Sequence, residues 1–143
     1  GMTFTIEPMI NLGSLDYGAI ITNHAGGYSF YKSALSSRFL RLRSNSVPLD
    51  QPGRYFYLRD RASGDYWSAS WQPVGKPLDR YESVCRHGTA YTVITSRYNG
   101  IESEATYFVP LGQTCETWRL KVTNTSGRLR RWLRRLRPDT AVA

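Results

Sequence analysis

Residues that usually carry catalysis or bind metals are scarce: the 143-residue chain has two cysteines and two histidines. Cys85 and Cys115 are too few for a disulfide framework and lack metal-ligand spacing, so both are expected as free thiols in a reducing compartment. His24 and His87 stand far apart, with no Cys or carboxylate at ligand spacing. Each is expected to be a hydrogen-bonded structural group, and no metal site follows from them. No Ser or Cys nucleophile motif is found, and Asn23-His-Ala-Gly-Gly27 lacks the Lys-Ser/Thr ending of a phosphate loop. The sequence therefore names no catalytic residue. No apolar run approaches the length that crosses a bilayer. Nothing near Met2 resembles a basic segment followed by an apolar signal core, and Gly1 ahead of it reads as a tag remnant. A cytoplasmic protein without a membrane partner is expected.

A balanced charge is also missing. The net charge of +8 concentrates after Ser126, where Arg128, Arg130, Arg131, Arg134, Arg135 and Arg137 face Asp139 alone. Setting those 6 of 19 basic and 1 of 11 acidic residues aside leaves 13 and 10, or +3. The body is close to neutral, so no nucleic-acid partner is expected.

Aromatic and β-branched residues are plentiful. Aromatics make up 13% of the chain, with 10 Tyr and 4 Trp, in short runs punctuated by Gly and Pro. That composition predicts an all-β domain. Strands are expected at Gly18–Thr22, Tyr28–Tyr31 and Arg54–Arg59, the last ending in the Ser63-Gly64-Asp65 turn. Arg38–Arg43 is an ambiguous strand, and Asn45–Pro52 has the turn chemistry of a loop. The clearest signal is Asn99-Gly100 between Tyr91–Tyr98 and Ile101–Val109, a pair suited to a two-residue type I′ hairpin. That turn sets Tyr98 opposite Ile101, Arg97 opposite Glu102, Ile94 opposite Ala105 and Tyr91 opposite Phe108. In Glu116–Thr123, Trp118, Leu120 and Val122 alternate with Thr117, Arg119 and Lys121, as in a strand with one wet face. Asn124-Thr-Ser126 reads as a turn. About ten strand-like runs at short spacing favour an antiparallel sandwich over a parallel α/β sheet.

Two segments combine aromatic rings with planar polar groups: Gly26-Gly-Tyr-Ser-Phe-Tyr-Lys32 and Asp65-Tyr-Trp-Ser-Ala-Ser-Trp-Gln-Pro73. Ring faces cover the C–H surface of a pyranose, and planar polar groups take paired hydrogen bonds from its hydroxyls. The same residues also suit a sandwich interior. Trp67 and Trp71, four apart, share a side if the segment is extended, which fits both readings.

Those segments fall within a longer series: Asn23-His-Ala-Gly-Gly-Tyr-Ser-Phe-Tyr31, Pro52-Gly-Arg-Tyr55, Tyr57-Leu-Arg-Asp60, Gly64-Asp-Tyr-Trp-Ser68, Ser70-Trp-Gln-Pro-Val74, Arg86-His-Gly88, Tyr98-Asn-Gly-Ile101, Phe108-Val-Pro110 and Asn124-Thr-Ser126. In this order, over about residues 10 to 126, they resemble the cellobiose/chitobiose phosphorylase family, glycoside hydrolase family 94, formerly glycosyltransferase family 36. The resemblance implies a galactose-mutarotase-like supersandwich over 2–126, here cut short. It also implies a place ahead of an (α/α)6 barrel that cleaves a disaccharide with phosphate and inversion, without metal or organic cofactor. The barrel holds the acid aspartate, so this chain alone is expected to be inactive. Gly26, Gly27, Tyr28, Phe30 and Tyr31 are candidates for the active-site rim or a domain interface. Trp67, Trp71, Arg86 and His87, with His24, match family blocks and are candidates for carbohydrate or packing contacts.

After Gly127 the family continues into an apolar strand, whereas 127–143 is Arg-rich. Leu129, Trp132, Leu133 and Leu136 recur at helical spacing, so a short basic amphipathic helix is expected there. A frame-shifted or truncated gene is the expected origin of the change in composition. Alternative functions are a stand-alone sugar-binding or oligomerisation module and an anionic-surface binder acting through the tail. Self-association is expected, because a sandwich stopped near Ser126 leaves sheet edges open.

Overall fold

The computed structural model describes residues 9–13, 16–33, 53–128 and 132–138. The ambiguous strand at 38–43 and the loop at 45–52 lie outside the described residues. Among the described residues ten strands run in chain order: β1 Met9–Gly13, β2 Tyr17–Thr22, β3 Gly27–Tyr31, β4 Arg54–Asp60, β5 Tyr66–Ser68, β6 Glu82–His87, β7 Tyr91–Tyr98, β8 Ile101–Phe108, β9 Thr117–Asn124 and β10 Trp132–Pro138. Every pairing is antiparallel. The sheets are β1-β2-β3, β10-β4-β5 and β6-β7-β8-β9, and a bridge between Gly26 and Gly53 links the first two. None of the described residues forms a helix long and apolar enough to cross a membrane.

The hairpin of β7 and β8 has the register its turn predicts. Tyr98 pairs with Ile101, Arg97 with Glu102, Ile94 with Ala105 and Tyr91 with Phe108. Asn99 and Gly100 both take positive φ, 49° and 70°, as a type I′ turn requires. Because side chains alternate across a strand, this register decides which of them are buried. Ile94, Ile101, Ala105 and Tyr107 are buried on the inner face. Arg97 and Glu102 form an ion pair at 2.7 Å on the outer face. β9 extends the pattern, with Trp118, Leu120 and Val122 paired with Tyr107, Ala105 and Ser103.

The inner face of this four-stranded sheet meets the other two sheets. One core joins Ala19 and Ile21 of β2, Tyr55 and Phe56 of β4, and Ile94, Ala105 and Tyr107. A second joins Leu58, Trp67, Tyr81 and Ile101. Burying each large aliphatic or aromatic side chain contributes about 1.5–3 kcal/mol. The result is an all-β sandwich. Turns close as expected: Asp60 accepts from Ala62 N–H (3.0 Å) and Ser63 Oγ (3.0 Å). Asn124 Oδ1 accepts from Ser126 N–H (3.0 Å) in the turn after β9.

The expected C-terminal helix is not formed in the described part of the tail, 132–138. Residues 132–138 are a strand on β4, with Trp132 opposite Asp60 and Pro138 opposite Arg54. Helical spacing is a local signal, whereas one edge of β4 offers a row of N–H and C=O groups that a strand satisfies and a helix cannot. The edge wins, and the amphipathic helix that an anionic-surface function needs is absent from 132–138.

Candidate functional site

Gly26-Gly-Tyr-Ser-Phe-Tyr31 enters and fills β3. Gly27 has φ 121°, and a Cβ there would lie 2.0 Å from Ile20 O, so only glycine permits the close approach of β3 to β2. Pairing then sorts the segment by face. Ser29 and Tyr31 lie opposite Ala19 and Tyr17, and Ser29 is buried. Tyr28 and Phe30 lie opposite Ile20 and Gly18 on the face turned away from the core, half-buried, with ring centroids 6.2 Å apart. The Phe30 ring occupies the space above Gly18. Lys32 Nζ sits 5.1 Å from the Tyr31 ring centroid.

The two tryptophans have different surroundings. Trp67 in β5 is 1% exposed and packs on Tyr98 at 5.0 Å. Trp71 is half-buried, because the chain is not extended between them: it bends after Ser70, and Trp71 takes φ 65°. Left-handed backbone is rare for a bulky residue and costs about 1–3 kcal/mol. Four hydrogen bonds hold it there. Trp71 N–H donates to Tyr81 Oη (2.9 Å), its Nε1–H donates to Lys76 O (2.7 Å), and its carbonyl accepts from Ser68 Oγ (2.6 Å) and Gly75 N–H (2.8 Å). Tyr81 Oη in turn donates to Ser68 O at 2.8 Å, and burial raises its pKa. The Trp71 indole meets the His24 ring at 5.6 Å, inclined by 47°. Beside them lies an open cleft of about 550 Å³, lined by His24, Trp71, Leu78, Tyr81 and the β6 residues Glu82, Ser83 and Val84.

Arg86 and His87 are separated by the alternation of β6. His87 lies on the inner face, with Nδ1 2.9 Å from Thr92 Oγ1 and Nε2 3.6 Å from Cys85 Sγ. Burial pushes the Cys85 thiol up to about 11, away from thiolate chemistry. Arg86 is exposed on the outer face, in a shallow pocket with Glu82, Thr95 and Arg97. These two residues join neither the Trp71 cleft nor the Tyr28–Phe30 face. Both cysteines are free thiols, and no cluster of metal-ligating side chains occurs among the described residues.

Two charge clusters emerge that sequence reasoning missed. Lys76 Nζ contacts Asp65 Oδ1 at 2.6 Å, 5.6 Å from the centroids of both Tyr66 and Tyr98, and Tyr98 Oη donates to Asp65 Oδ2 (2.9 Å). Burial alone would raise the Asp65 pKa, but the hydrogen bonds from Lys76 and Tyr98 outweigh it and lower it. The bond to Asp65 raises that of Lys76. Deeper in, Arg54 is 1% exposed and bonds through Nε to Glu116 Oε1 (2.8 Å). Its Nη1 donates to Ile20 O (3.1 Å) and its Nη2 to Ser29 Oγ (2.6 Å). Glu116 also accepts from Ser29 Oγ (2.8 Å) and Trp118 Nε1 (2.7 Å). One charge pair thus ties β2, β3, β4 and the start of β9. A signal was present: Arg54 has the same strand parity as Phe56 and Leu58, which places a charge in an apolar row and demands a partner.

Residues 3–133 match the family model described as the glycosyl hydrolase 94 supersandwich domain. Among similar proteins, N,N'-diacetylchitobiose phosphorylase of Vibrio proteolyticus is 46% identical over 119 residues, 83% of this chain and 15% of that protein. The enzyme of the same name from Vibrio furnissii is 44% identical over 80% of this chain and 14% of its own length. Solabiose phosphorylase of Paenibacillus borealis is 37% identical over 76% of this chain and 14% of its own length. The chain therefore spans about one-seventh of the relatives it matches.

Proposed function

The chain belongs to the family of the glycosyl hydrolase 94 supersandwich domain, and on that premise we propose that it is the assembly and carbohydrate-binding sandwich of an inverting disaccharide phosphorylase acting in the cytoplasm. Its Gly26–Tyr31 segment docks on the catalytic part and borders the saccharide site. The observation that carries this reading is the outer face of β3. Tyr28 and Phe30 lie half-buried on the side away from the core, with room made for the Phe30 ring by Gly18. Aromatic rings built outward from a sheet gain from being covered, by a sugar ring or by another domain.

Phosphorolysis needs an acid on the glycosidic oxygen while phosphate attacks the anomeric carbon from the opposite face. The charged groups that come closest together here neutralise one another, Lys76 with Asp65, Arg97 with Glu102 and Arg54 with Glu116. We assign the acid and the phosphate site to the catalytic part, with the sandwich supplying position. The test has two arms. The 143-residue chain, incubated with diacetylchitobiose and phosphate, is expected to release no sugar 1-phosphate. Substituted for the matching segment of the Vibrio proteolyticus enzyme, it is expected to support activity that Tyr28→Ala with Phe30→Ala reduces at least about tenfold, the loss expected for roughly 1.4 kcal/mol of contact. Activity of the isolated chain, or a chimera indifferent to both substitutions, overturns the reading.

A further inference from the structure

Trp67 shows how this sandwich buries a tryptophan: in a strand, with only 1% exposed. Trp71 is handled differently. It occupies a backbone conformation that bulky side chains avoid, it is pinned by four hydrogen bonds, and it remains half-buried. A residue held rigidly at a cost in strain, at the mouth of a cleft, marks a contact made by something outside the core. We propose that the cleft between Trp71 and the edge strand β6 is a saccharide-binding site of the sandwich itself. It is separate from the Tyr28–Phe30 face.

The walls fit a pyranose. Trp71 and His24 form an aromatic corner, and Leu78 and Val84, 70% and 51% exposed, line the same cleft. These surfaces cover the C–H faces of a sugar ring. Polar residues stand beside them: Glu82 and Ser83 line the same cleft, the Glu82 carboxylate lies 3.9 Å from Arg97 Nη1, and a carboxylate is a strong acceptor for sugar hydroxyls. β6 is also the end strand of its sheet among the described residues. Its outward N–H and C=O groups therefore add donors and acceptors along the cleft. Tyr81 contributes shape alone, since its hydroxyl already accepts from Trp71 and donates to Ser68. The volume of about 550 Å³ lies within the roughly 300–1,000 Å³ of small-molecule sites. The choice of a saccharide rests on the reading above, while the place of the site does not.

The experiment titrates the intact chain with cellobiose and with N,N'-diacetylchitobiose, with sorbitol as a polyol that lacks a ring face. The indole N–H resonances of the four tryptophans report on it, with Trp71→Phe identifying one of them. The Trp71 resonance is expected to shift saturably with at least one disaccharide and not with sorbitol. Val84→Arg lies on an exposed edge and leaves the core untouched. It is expected to raise Kd at least about tenfold while the denaturation midpoint stays unchanged. Saturable binding that leaves Trp71 unmoved, or that Val84→Arg leaves at the same Kd, overturns the cleft. It leaves sugar binding by the domain standing. No saturable shift with either disaccharide at tens of millimolar also overturns the cleft, and the chimera then decides the docking reading by itself.

Discussion

Replacing Glu116 by Gln tests the central claim about what holds the sandwich together. The Glu116 carboxylate accepts from Arg54 Nε (2.8 Å), Trp118 Nε1 (2.7 Å) and Ser29 Oγ (2.8 Å). Gln keeps the shape but removes the charge and turns one acceptor into a donor. Arg54, 1% exposed, then holds a cation in the interior without its counter-charge. Breaking a buried pair from one side costs about 3–5 kcal/mol. Since Gln keeps one carbonyl acceptor, about 3 kcal/mol is expected, a large part of the roughly 5–15 kcal/mol that stabilises an ordinary domain. The double change Arg54→Met with Glu116→Met removes both charges and their desolvation. It leaves Ile20 O, Ser29 Oγ and Trp118 Nε1 without these partners, at about 1 kcal/mol each before relaxation. It is therefore expected to cost no more than Glu116→Gln alone and far less than the sum of the two single changes. Urea unfolding followed by near-ultraviolet circular dichroism measures all five proteins (the chain, Glu116→Gln, Arg54→Met, Glu116→Met and the double variant), with a constant m value as the check on two-state behaviour. A loss below about 1 kcal/mol for Glu116→Gln, or additivity in the double variant, would refute the argument.

At the hairpin, Asn99→Ala removes a side chain that tolerates positive φ, and Gly100→Val puts a β-carbon on a residue at φ 70°, where it would stand 2.7 Å from Ser126 Cβ. In denaturant titrations this variant is expected to lose more stability than Arg97→Ala, whose ion pair is exposed. For Asp65 and Lys76 the signs differ. The Asp65 pKa is lowered from 3.8, so its contribution is complete above 3.8 and disappears as pH falls through the folded value. The Lys76 pKa is raised from 10.5, so its contribution is complete below 10.5 and disappears as pH rises through the folded value. The stability gap between the chain and Lys76→Met, under about 1 kcal/mol because the pair is partly solvated, is expected to stay level between those limits and shrink beyond both. Deleting residues 132–143 uncovers the edge of β4 and is expected to raise aggregation in light scattering. An unchanged, soluble deletion variant removes the structural role given to β10.

Where one turn or one alternation settles the outcome, the sequence was enough. Asn99-Gly100 admits a type I′ turn, that turn admits one register, and the register assigns Ile94, Ile101 and Ala105 to the interior and Arg97 to water. Alternation in Thr117–Asn124 placed Trp118, Leu120 and Val122 in the same way. The ordered aromatic and glycine blocks were enough to identify the family. Three things depended on the assembled fold. Residues 132–138 have helical spacing yet form a strand, because the free edge of β4 lies near them only in three dimensions. Arg54 and Glu116 are 62 residues apart, and their pairing becomes visible once β3, β4 and β9 converge. Trp67 and Trp71 look equivalent in the sequence, but the turn at Ser70 sends one into the core and the other to a cleft shared with His24 and Val84. Periodicity and turn chemistry act between neighbours in the chain. Edges, buried charges and clefts arise between segments far apart in it, where packing and the pairing of buried polar groups decide.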